Sequence, residues 1–190
     1  MELDKNILID ILLEENKSED DIIKIIDDNC KNNKIIFSQM QNSNTVLMIA
    51  CDKKYNLVIQ KLLDISTNSK KKIVNCCICL FSLLECLIHK SSKNTDITND
   101  ELTTIDLLLR QTNYEGNNAL MIASMNYTND NDTNSINSNI LLSLLNNIND
   151  LDILTNTNVK KETPLLIARD KNLPIEYIDK LNDKINKLKK

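Results

Sequence analysis

The sequence has one glycine, two prolines, no tryptophan and one histidine in 190 residues, and only 3% of it is aromatic. A glycine-rich phosphate loop is excluded, because Gly116 stands alone. Collagen-like and Pro/Gly-rich disordered chains are excluded by the same scarcity. With His89 as the sole histidine, multi-histidine metal sites are excluded and one His-based general base remains. A basic excess is missing too: 23 Lys and Arg face 27 Asp and Glu, a formal net charge of -4. A wide nucleic-acid face needs cations to neutralise phosphates, so no nucleic-acid partner is expected. The five lysines from Lys180 to Lys190 form a basic cluster. They read as the solvated end of a last helix, where cations oppose the negative end of the dipole.

Long apolar runs are also scarce. Ile73 to Ile88 (IVNCCICLFSLLECLI) is apolar except for Asn75, Ser82 and Glu85. It falls short of the ~20 residues of a spanning helix, and Glu85 is costly at membrane depth. It reads as a buried helix, so no stable membrane insertion is expected. Residues 1–15, MELDKNILIDILLEE, lack the basic start of a secretory signal. An intracellular protein, cytoplasmic or nuclear, is therefore expected, with its six cysteines reduced. Cys76, Cys77 and Cys79 lack the gap and the second pair of a zinc site. Cys86 and His89 share a helix face, but apolar surroundings raise a thiol pKa and make it inert. Core packing is the reading for these cysteines. No catalytic residue, metal or cofactor is expected, and the chain is read as a non-enzyme.

What is present is helical periodicity in a chain that is 42% hydrophobic. Its length suits one domain, or two small ones. Asp4 to Leu13 places Ile7, Leu8, Ile11 and Leu12 on one face. Ser18-Glu19-Asp20-Asp21 then reads as an N-cap with an acidic first turn, ahead of Ile22, Ile23, Ile25 and Ile26. A short connection makes the two helices antiparallel neighbours.

A helix-pair unit then recurs. Thr45-Val46-Leu47-Met48-Ile49-Ala50-Cys51 precedes a second helix over Leu57 to Leu63. Asn118-Ala119-Leu120-Met121-Ile122-Ala123-Ser124 precedes one over Asn139 to Leu145. Thr163-Pro164-Leu165-Leu166-Ile167-Ala168-Arg169 precedes one over Ile175 to Leu181. A weaker copy, Ser82 to Ile88, is followed by Glu101 to Arg110. The starts at Thr45, Ser82, Asn118 and Thr163 stand 37, 36 and 45 residues apart, a spacing typical of solenoids. Thr45 and Thr163 suit helix caps, and Pro164 suits a first helical position. Ala50, Ala123 and Ala168 are small enough for helices to approach closely.

These blocks resemble the ankyrin repeat, whose inner helix carries Thr-Pro-Leu-His-Leu-Ala-Ala, followed by a Gly-His turn and an outer helix. Thr163-Pro164-Leu165-Leu166-Ile167-Ala168 matches best, then Thr45-Leu47-Ile49-Ala50 and Leu120-Ile122-Ala123. The motif His is replaced by Met48, Met121 and Leu166, and the loop glycine is kept only at Gly116. Asn can replace glycine at positive φ at some cost, so irregular hairpin geometry is expected.

The resemblance implies an all-α, ankyrin-like α-solenoid of about five helix pairs with short hairpin-like loops. Its parts are a capping pair (1–36), a repeat (40–70), a degenerate repeat (75–112), a repeat with an inserted loop (113–150, loop 128–137) and a C-terminal repeat (158–190). The insertion TNDNDTNSIN has the composition of a disordered loop.

It also implies a monomeric, non-catalytic protein-interaction module whose partner is another protein. Carried over by position, the contact residues at loop tips are Gln41, Asn42 and Asn44, then Tyr114, Glu115 and Asn117, then Lys160, Lys161 and Glu162. Those at inner-helix ends are Asp52 and Lys53, Met125 and Asn126, and Asp170 and Lys171. Tyr114 is foremost, since aromatics are enriched among binding hot spots. The 29 asparagines, with frequent Ile and Lys, match an A/T-rich genome such as that of a large DNA virus or a protist. Action on host proteins is one expectation from that bias. A structural or virion-associated protein, or a membrane-associated one using 73–88, is the alternative.

Overall fold

A computed structural model describes residues 7–14, 17–29, 40–41, 43–68, 104–128 and 134–190. These residues are mostly helical, with one antiparallel hairpin pairing β1 (Met40–Gln41) with β2 (Asn44–Thr45). The helices are α1 (Ile7–Leu13), α2 (Glu19–Asn29), α3 (Val46–Asp52), α4 (Asn56–Asn68) and α5 (Thr104–Arg110). They continue as α6 (Ala119–Met125), α7 (Asn134–Asn147), α8 (Leu151–Thr155), α9 (Pro164–Asp170) and α10 (Ile175–Leu188).

Helices α1, α3, α6 and α9 have seven residues each, and they touch in that order to make one row. The longer α2, α4, α7 and α10 touch in the same order and make a second row. Each short helix packs on the long helix that follows it in its pair. One continuous core runs from Leu8 through Leu62 and Leu144 to Ile185.

Helices α3 and α9 are seven residues long because both ends are specified, and α6 is capped in the same way at its start. Thr45 and Thr163 accept hydrogen bonds from the N–H groups of Met48 and Leu166, each at 3.2 Å, and Asn118 accepts from Met121 at 2.9 Å. Pro164 opens α9, where no intrahelical bond is lost. At the other end, the Lys54 N–H donates to Cys51 O and the Tyr55 N–H to Ala50 O. Asn172 and Leu173 repeat this pair of bonds on Arg169 and Ala168. This is a Schellman ending, with φ of 59° at Lys54 and 52° at Asn172. Asn172 tolerates this backbone, since its short polar side chain bonds locally, whereas Lys54 adopts it at greater steric cost.

The long row is joined by charged caps. The Glu19 carboxylate, at the start of α2, accepts from the Leu57 and Val58 N–H groups that open α4, at 2.6 and 3.1 Å. The Lys184 ammonium donates to the Leu145 and Asn146 carbonyls that close α7, at 2.6 and 3.2 Å. Both charges have the sign that their helix end favours. Desolvation, with Lys187 nearby, holds the Lys184 pKa below the ordinary lysine range. The rest of the C-terminal lysine cluster, Lys180, Lys187, Lys189 and Lys190, is exposed. Removing the cap with Glu19→Ala should cost about 1–2 kcal/mol of stability, measured by urea unfolding.

Ser18 caps α2 as the sequence implied: the Asp21 N–H donates to its hydroxyl at 3.2 Å. The hydroxyl in turn donates to the Asp21 carboxylate at 2.6 Å, and this bond is the main cause of Asp21's lowered pKa. A lowered folded-state pKa means that this cap stabilises above the ordinary carboxylate range. The contribution is lost as the pH falls through the folded value.

Several expectations need correction. Ile9 lies in the core, fully buried, beside the expected Leu8, Ile11 and Leu12. The second helices extend beyond Leu57–Leu63, Asn139–Leu145 and Ile175–Leu181, because packing against their neighbours stabilises turns that periodicity alone leaves unsupported. Residues 134–137 of the supposed loop 128–137 are helical. There Asn137 is buried, and its amide donates to the Thr128 hydroxyl and carbonyl, at 3.1 and 3.3 Å.

Helix α8 was not anticipated. It packs on α9, α10 and α5.

The unit at 75–112 was expected to stand between the blocks starting at Thr45 and Asn118. Instead α3 lies directly on α6 and α4 directly on α7. Of that unit, α5 packs against α4 and α8, with Arg110 ion-paired to Asp150. The apolar run 73–88, with Cys76, Cys77, Cys79, Cys86 and His89, lies outside the described residues. No helix among the described residues is long and apolar enough to cross a membrane.

The alanines hold the close approach of the short row. Ala50 and Ala168 are fully buried and Ala123 is 7% exposed. Ala123→Phe should overpack this layer and cost about 1–3 kcal/mol. An unchanged melting temperature would contradict the close contact of α6 with its neighbours.

Candidate functional site

The turns that lead into α6 and α9 share one construction. The Asn113 side-chain oxygen accepts from the Glu115 and Asn117 N–H groups, both at 3.0 Å. The Asn158 oxygen does the same for Lys160 and Glu162, at 3.0 and 2.9 Å. In each turn the first asparagine N–H also donates to the carbonyl four residues on. Asparagine suits this place because its short amide mimics a backbone turn. One residue before the cap position's predecessor, the backbone turns left-handed: φ is 61° at Ser43, 75° at Gly116 and 63° at Lys161.

Adjacent turns are tied to one another. Asn113 donates from its amide to the Asn44 side-chain oxygen at 3.1 Å, and Asn158 donates likewise to Asn117 at 3.0 Å. The Val159 N–H also donates to the Glu115 carbonyl at 2.9 Å. The 113–117 turn therefore follows the 40–45 hairpin directly, by the same bond that joins 158–162 to it. This agrees with α3 resting on α6.

Between α3, α6 and these turns lies a cavity of about 320 Å³. Met48, Ile49, Ile122 and Met125 give it apolar walls, with Leu13 of α1 beside them. Its polar lining is Asn44, Asp52, Asn113, Glu115, Asn117 and Asn126. The Asn126 amide donates to Asp52 Oδ1 at 2.9 Å, and the Asn117 amide to Glu115 Oε2 at 2.9 Å.

The chain matches no known protein family, no curated protein and no solved structure.

Six of the sequence-chosen positions meet at this cavity: Asn44, Asp52, Glu115, Asn117, Met125 and Asn126. Tyr114, 80% exposed, stands at the tip of the middle turn, with Val159 at the matching place in the next. Lys53, Lys160, Lys161, Asp170 and Lys171 are exposed and lie outside the cavity lining. Asn117 was expected as an exposed tip, but it is buried, with its amide committed to Glu115 and Asn158. Glu162 is half-buried and accepts from the Asn158 amide at 2.8 Å. Both residues build the turn. The Gln41 side chain and Asn42 lie outside the described residues.

Asn113 and Asn158 were missed. The available signal was an asparagine five residues before the caps Asn118 and Thr163. Burial pushes the Cys51 thiol far up and the Tyr177 phenol far up, the latter drawn partly back by the Ser124 hydroxyl. Among the described residues no three His, Cys, Asp or Glu side chains gather to hold a metal.

Proposed function

We propose that the chain is an ankyrin-like α-solenoid acting as a monomeric, non-catalytic, intracellular module that binds another protein. The observation that carries this reading is a row of side-chain-capped short helices, with one asparagine-closed turn built twice, at 113–117 and 158–162. Such a row presents turn tips and helix ends in register, a surface suited to gripping a partner and not to concentrating reactive groups. The mixed apolar and polar cavity between α3 and α6, with Tyr114 on a neighbouring tip, supplies the features of a recognition surface. The A/T-biased composition supports a viral or protist origin, and with it a partner in a host.

Affinity capture with mass spectrometry tests the reading. The chain is compared with a Tyr114→Ala, Lys160→Glu, Lys171→Glu variant, whose altered side chains are all exposed. Partners captured by the first and lost by the second, at equal helical circular dichroism, are expected. An empty capture from every source would overturn it. Recovery only as a fixed component of an assembled particle would favour a structural, virion-associated role.

A further inference from the structure

Resting on the reading as a protein-binding module, we propose that the cavity between α3 and α6 receives a basic side chain, arginine or lysine, from the partner protein. Its volume of about 320 Å³ lies at the low end for ligand pockets and suits one long side chain better than a larger ligand. Met48, Ile49, Ile122 and Met125 offer apolar walls for a methylene stem, and the half-buried, flexible Met125 adapts to its path.

The polar groups decide the charge of the head. The lining contains the carboxylates of Asp52 and Glu115 and no lysine or arginine. The amides of Asn113, Asn117 and Asn126 are already donating, to Asn44, Glu115 and Asp52 respectively. Among the described residues, Asp52 accepts on Oδ1 and Glu115 on Oε2, one bond each. The only charged groups among the lining residues are thus these two carboxylates, so the lining favours a cation. An ammonium or guanidinium pairs with them by charge-assisted hydrogen bonds, whereas an acidic head meets repulsion.

The test is an NMR titration of the full chain with acetyl-Gly-Ala-Arg-Ala-Gly-amide and its lysine, citrulline and glutamate counterparts. The arginine and lysine peptides should shift the Met48 and Met125 methyl signals and the Asn126 side-chain amide. Citrulline, equal in shape but neutral, should bind at least about tenfold more weakly, and glutamate not at all. The variant Asp52→Asn, Glu115→Gln should lose the response at an unchanged melting temperature, because its amide oxygens still accept from Asn126 and Asn117. Equal shifts from citrulline, or none from any peptide, would overturn the proposal, with or without the variant. That failure is separable from failure of the module reading, which falls only when the affinity capture is empty.

Discussion

Asn158→Ala should lower the stability of the chain by about 2–4 kcal/mol, a fall of about 5–15 °C in melting temperature. The side chain is 6% exposed and makes four hydrogen bonds. Its oxygen closes the 158–162 turn, and its amide ties that turn to Asn117 and to Glu162. Alanine would leave the Lys160 and Glu162 N–H groups and the Asn117 oxygen without these partners. Each such loss costs about 1–3 kcal/mol where water cannot substitute, and part of this turn is solvated. Val159→Ala, one residue along and 68% exposed, should change stability by no more than about 0.5 kcal/mol. Thermal unfolding of the two variants side by side checks both figures. Equal melting temperatures would show that the asparagine does not hold the turn.

Gly116→Ala should be similarly damaging, by about 2–3 kcal/mol, from two causes that act together. The residue has φ of 75°, and an added Cβ would stand 3.0 Å from the Asn158 Cα and 3.3 Å from the Val159 nitrogen. Both contacts are with backbone of the adjacent turn, which cannot swing aside as a flexible side chain could. Lys161 occupies the matching position with φ of 63°. Lys161→Gly should therefore act in the opposite direction and stabilise by up to about 1 kcal/mol, the left-handed strain it removes being offset by added freedom of the unfolded chain. Opposite signs at two matching positions are a sharper check than either value.

The helix pairs at both ends and around Thr45, Asn118 and Thr163 were legible because caps and apolar spacing act locally. Thr45, Asn118 and Thr163 cap as their positions imply, and Ser18 does so with Asp21. The even spacing at Ser82 misled. Periodicity reports that a segment can bury a face, but it does not say against which neighbour. Here α3 meets α6 directly, and α5 packs to the side against α4 and α8. Helix α8 was hidden because its five residues carry less than two turns of pattern. Asn137 looked like loop composition, yet its bond to Thr128 closes the segment onto a helix.

The candidate site was half legible for the same reason. Position in a repeat points to Asp52, Glu115, Met125 and Asn126, and these converge at one cavity. Burial of Asn117 and the role of Asn158 depend on a bond between turns 41 residues apart, which no local pattern carries. Ile49 and Ile122 looked like ordinary core residues, and they come to line the cavity only where two short helices lie side by side.

The most direct measurement is hydrogen exchange of the chain with and without a captured partner. The account predicts slowed exchange over 43–53, 113–126 and 158–172, the turns and short helices, with α2, α4 and α7 unchanged. Protection confined to those long helices, with the turns and the cavity between α3 and α6 exchanging as in the free chain, would contradict it.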